Sequence, residues 1–142
     1  MNVRRLLHIV SIAFAFVLGA WMMRNSADAA NGSRVFEMRT YTTLDGRLDA
    51  LQARFRNHTT KLFEKHGMTN IGYWVPQDGP ESKNTLIYIL AHSSRDAAKK
   101  SWDGFRSDPE WKKAQAASEA DGKIVAGVKS VFMDATDYSA IK

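Results

Sequence analysis

Hydrophobic and polar positions change period along this chain, and each change predicts an element. Arg34 to Thr43 alternates, with Val35, Glu37, Arg39 and Tyr41 on one side and Phe36, Met38 and Thr40 on the other, which is the period of a strand. Asp45-Gly46 breaks it. From Arg47 the apolar positions are Leu48, Leu51, Phe55, Leu62 and Phe63, with His58 and Thr59 filling the gap at helical spacing. A long amphipathic helix is therefore predicted, ending at His66-Gly67, where glycine can take the left-handed cap conformation. Met68 to Val75 reads as a second strand, and Gln77 to Lys83, containing Asp78-Gly79-Pro80, as a turn. Thr85 to Ala91 is apolar at both parities, so both faces of the sheet are expected to be covered there. Ser93 or Ser94 can cap a second helix carrying Ala97, Ala98, Trp102 and Phe105. Asp108-Pro109 restarts that helix, with Asp108 at the N-cap and Pro109 at the first helical position. After Asp121-Gly122, Val128 to Ala135 supplies the last strand.

The order β-α-β-β-α-β predicts an α+β fold of the ferredoxin-like, split βαβ kind, a four-stranded sheet with both helices on one face. The opposite face then needs cover, and the chain has no third helix for it. A second copy packed sheet to sheet meets the need, so a homodimer burying on the order of 2,000 Å² is expected.

Ahead of this domain, Met1 to Arg5 is a short basic start, Leu6 to Met23 is almost free of polar groups, and Ser26-Ala27-Asp28-Ala29 ends in a small-x-small pattern. Residues 1–29 therefore read as a signal peptide cleaved after Ala29, giving a periplasmic or secreted protein. The alternative is an uncleaved membrane anchor, because the apolar run of residues 6–23 would span roughly 27 Å as a helix. Arg4-Arg5-Leu6-Leu7 has a twin-arginine character that His8 weakens. Charge changes the picture little. The chain carries +5, and Arg4, Arg5 and Arg24 with Asp28 account for part of it, leaving +3 on the remainder. Lys99-Lys100 and Lys112-Lys113 sit beside acids on outer helical faces, so no nucleic-acid surface is expected. The chain has no cysteine, which excludes disulfides, thiolate metal sites and a cysteine nucleophile. Walker, HExxH, GxGxxG and GxSxG motifs are likewise missing from the sequence, so it offers no local signature of nucleotide use or hydrolysis.

The residues with chemistry on the predicted elements are Arg39, Tyr41, His58, Tyr73, Trp74 and Tyr88, candidates for lining a ligand cavity. His58, placed on the apolar stripe of the first helix, could serve as a base or as a haem or metal ligand, or simply as a packed histidine. His66 lies eight residues further, about 12 Å along a helix, too far to share a metal with it, and no metal site is predicted. Arg39 and Glu37 share a strand face and can pair structurally or anchor a carboxylate.

Val35-Phe36-Glu37-Met38-Arg39-Thr40-Tyr41 with Asp45-Gly46-Arg47-Leu48, Arg54-Phe55-Arg56-Asn57-His58-Thr59, and Phe63-Glu64-Lys65-His66-Gly67-Met68 resemble the NIPSNAP domain. So do Phe105-Arg106-Ser107-Asp108-Pro109-Glu110-Trp111, Ser118-Glu119-Ala120-Asp121-Gly122 and Thr136-Asp137-Tyr138, extending the likeness over about residues 34–139. The resemblance implies a dimeric α/β barrel of ferredoxin-like protomers and no settled activity. The expected function is an exported homodimer that binds a protein partner or a small apolar ligand without catalysis. The alternative is a cavity enzyme of the monooxygenase-like or haem-binding barrel type, with His58, Arg39 and Tyr41 at its centre.

Overall fold

The computed structural model describes residues 34–142, so the predicted signal segment lies outside the described residues. Strand β1 (Val35–Thr43) leads into a continuous helical segment made of α1 (Leu48–Arg54), a π-helical turn (Phe55–Thr59) and α2 (Thr60–Lys65). Then come β2 (Thr69–Trp74), a 3₁₀ turn (Pro80–Lys83), β3 (Thr85–His92), α3 (Arg95–Ser107), α4 (Pro109–Ser118) and β4 (Val125–Asp134). The sheet order is β2-β3-β1-β4 and all neighbours are antiparallel, the arrangement that the element order predicts. The register sets Arg39 opposite Tyr88 on one side and Ser130 on the other.

Caps and breaks fall where their chemistry directs. Gly67 has φ +78°, the left-handed conformation that ends α2. The Ser94 hydroxyl accepts the Ala97 N–H at the start of α3. Between α3 and α4, the Asp108 carboxylate accepts the Glu110 N–H at 2.8 Å, and Pro109 occupies the first helical position. His66 Nε2 and Lys65 Nζ also bond Asp108, at 2.7 and 2.9 Å, tying the end of α2 to this junction. The hydrogen bonds from His66, Lys65 and the Glu110 N–H hold the Asp108 carboxyl well below the usual carboxylate range.

The core lies between the helices and one face of the sheet, where Leu51, Phe63, Tyr88, Leu90 and Ile124 are fully buried. Rings dominate it: Phe63 lies 4.9 Å from Phe105, and Phe105 lies 4.5 Å from Trp111. On the opposite face Met38, Ile87 and Ile89 are half-buried and Val131 is exposed. Two sequence expectations need adjustment here. The last strand begins at Val125, three residues before the predicted Val128, because β4 pairs with β1 back to Thr43 through a bulge. The first helix is not uniformly α-helical, and this alters the placement of His58.

Candidate functional site

Each turn of a π-helix holds more residues than an α-turn, so positions that α-spacing would align fall out of line. Here the Thr60 N–H reaches back to the Phe55 carbonyl. The hydroxyls of Thr59 and Thr60 donate to the carbonyls of Arg54 and Phe55, both at 3.3 Å, the i−5 carbonyls that such a turn presents. Phe55 and Thr59 stay buried while Arg56, Asn57 and His58 turn to solvent. The expectation that His58 lies on the apolar stripe is thus corrected: it lines a shallow surface depression with Asn57, Lys61, Glu110 and Lys113. That depression contains neither Arg39 nor Tyr41, so the residues do not fit a haem held by His58 inside a cavity lined by those two.

Trp74 is also displaced from the expected group. It is half exposed, pairs with Ile87 and covers Gly72, where a Cβ would come 2.6 Å from the indole. It belongs to the sheet face away from the helices.

Arg39, Tyr41, Tyr73 and Tyr88 do come together, on the helix side. The Tyr88 ring is centred 5.5 Å from Tyr41 and stacks on Tyr73 at 5.3 Å, and Phe55 touches all three. Burial pushes the Tyr73 and Tyr88 phenols up from their ordinary value, so both remain protonated. The Tyr88 hydroxyl, fully buried, has no partner among the described residues.

Beside this group lies a carboxylate cluster that sequence reasoning reached only in part. Glu37 is 1% exposed and accepts bonds from Trp102 Nε1 at 2.7 Å, Ser130 Oγ at 2.6 Å, Arg39 at 2.8 Å and His92 Nε2 at 3.1 Å. Burial alone would raise the Glu37 pKa. The bonds from His92, Ser130, Trp102 and Arg39 outweigh it and bring the value from 4.5 down to about 2. Because Glu37 accepts, His92 Nε2 carries the hydrogen, and its Nδ1 is left without a partner among the described residues. The Arg39–Glu37 pair expected from strand parity is therefore present. His92, Trp102 and Ser130 join it from β3, α3 and β4, separations that no local pattern reveals.

Between the sheet and the helices a cavity of about 230 Å³ is walled by Tyr41, Phe55, Phe63, Phe105 and Trp111. Its polar contribution includes Arg54, whose side chain is 3% exposed. Arg54 contacts Ser118 Oγ and Glu119 Oε1 at a long 3.3 Å each, and its Nε has no partner among the described residues. No group of three or more His, Asp or Glu side chains among the described residues is arranged to hold a metal. No described helix is long and apolar enough to cross a membrane.

The NIPSNAP family model matches residues 36–140. Among solved structures, a NIPSNAP family protein of unknown function from Agrobacterium tumefaciens is similar at 21% identity and TM-score 0.67, over 78% of this chain and 96% of its own. An uncharacterized NIPSNAP domain protein from Burkholderia xenovorans is similar at 16% identity and TM-score 0.62, over 74% and 97%. SnoaB, a cofactor-independent oxygenase from Streptomyces nogalater, is similar at 12% identity and TM-score 0.52, over 76% and 98%. Identities this low speak for the fold alone. No match was found among proteins of curated function.

Proposed function

The chain belongs to the NIPSNAP family, and from that premise we propose that it is an exported homodimer that binds a small apolar ligand. The observation carrying this reading is the cavity under Tyr41, Phe55, Phe105 and Trp111, with the incompletely bonded guanidinium of Arg54 at its wall. Its volume of about 230 Å³ suits a ligand of one or two rings, apolar in body and ending in a single hydrogen-bond acceptor for Arg54. Ring walls supply affinity through burial, and the guanidinium supplies orientation. Protonated tyrosines and a carboxylate whose acceptor sites are already engaged favour binding over proton transfer.

Support for the dimer comes from the other face. Met38, Ile87, Ile89 and Val131 form a patch too apolar to be left to water, and an identical patch on a second copy covers it. Export rests on the basic, apolar and small-residue pattern of residues 1–29.

Native mass spectrometry of the protein purified from its own host tests all three statements. The expected species is a dimer of chains beginning at Ala30 that carries a small extra mass. A clean dimer at twice the chain mass overturns the ligand, a monomer at micromolar concentration overturns the dimer, and retention of residues 1–29 favours the anchor.

A further inference from the structure

On α3, Arg95, Lys99, Trp102 and Arg106 stand at i, i+4, i+7 and i+11, one face of the helix. That face looks across to β4, and with Ser130 and Phe132 it borders an open groove of about 440 Å³ whose lining also includes Arg39 and Glu37. This groove is separate from the ring-walled cavity and does not depend on the reading given to it. Two of its guanidiniums lie over rings: the Arg39 guanidinium carbon is 4.2 Å from the centre of Trp102, and that of Arg95 is 3.5 Å from the centre of Phe132. A ring beneath a guanidinium restrains it through its face, and N–H groups not already bonded remain the donors that a planar carboxylate needs.

Acceptors for these edges are in short supply. Arg95 has no acidic partner among the described residues. Arg39 spends one nitrogen on Glu37, and its buried Nε has no partner among the described residues. Lys99 and Arg106 share Asp103, outside the groove lining, while Asp96 is the other acid that lines it. Arg39, Arg95, Lys99 and Arg106 therefore outnumber Glu37 and Asp96 in the groove lining, and Asp103 beside Lys99 and Arg106 confines the positive field on that side. A confined field suits a small anion better than an extended polyanion.

We propose that this groove binds a small organic carboxylate, its oxygens on Arg95 and Arg39. The test is a titration of the purified protein with benzoate, followed by ¹H–¹⁵N spectra at constant ionic strength set with chloride. A saturable shift of the Trp102 indole N–H is expected, because that group bonds Glu37, the partner of Arg39. Arg95→Ala is expected to weaken benzoate by roughly tenfold or more. Arg95→Lys, which keeps the charge and loses the planar fork, is expected to fall close to Arg95→Ala. Arg95 is exposed, so both variants retain the fold, and Lys112→Ala on the outer surface should bind benzoate as the parent does. Shifts that chloride alone reproduces, affinity unchanged in Arg95→Ala, or saturable inorganic phosphate binding without benzoate binding would each overturn the proposal.

Discussion

At the scale of single residues, Glu37 is a buried carboxylate held by four side chains. A carboxylate taken out of water needs donors for its lone pairs, and it has them from two strands, a helix and its own strand neighbour Arg39. Glu37→Ala leaves Arg39 without its partner and is expected to cost about 3–5 kcal/mol in urea unfolding at neutral pH. The acid response has a definite sign. The folded pKa of about 2 lies below the 4.5 of an unperturbed glutamate, so the stabilisation is complete above about pH 4.5 and is lost as pH falls toward 2. Unfolding midpoints measured across that window should fall more steeply in the parent than in Glu37→Gln, and equal slopes would contradict the assignment. Strand parity made the Glu37–Arg39 pair legible in the sequence. Trp102, His92 and Ser130 were not, because their approach depends on strand order and helix docking and not on local periodicity.

At the scale of elements, period and punctuation carried most of the fold. Gly67, Ser94 and Asp108-Pro109 end, cap and restart helices for reasons of backbone geometry that any reading of the chain can apply. The π-turn escaped because the α-helical period tolerates both His58 and Thr59 on one stripe, and only the i−5 bonding of Thr59 and Thr60 separates them. The same limit hid the docking of α2 on α3. A Cβ at Gly104 would come 2.9 Å from His66 Nδ1, in a ring whose Nε2 is fixed on Asp108. In a free helix Gly→Ala gains about 0.5–1 kcal/mol. Overpacking against a held ring costs about 1–3 kcal/mol, so Gly104→Ala is expected to lower stability in denaturant unfolding. A more stable variant would mean that the ring yields.

At the scale of the whole molecule, the two faces of the sheet have different fates. One is sealed by helices, and the other, under the dimer proposal, is sealed by a second chain. Folding is then linked to association, and a tenfold rise in protein concentration should raise the melting temperature by roughly 3–5 °C. A concentration-independent melting temperature would count against the dimer. The carboxylate cluster has a further consequence, in time rather than in energy. Glu37 meets His92, Trp102 and Ser130 across 55, 65 and 93 residues of chain, so its full set of bonds requires β4 to be in place on β1. Because these contacts close long stretches of chain, the buried charge is expected to be completed after the main folding barrier. Substitutions at Glu37 should leave the refolding rate nearly unchanged and accelerate unfolding, which makes this one side chain a latch on the lifetime of the native state.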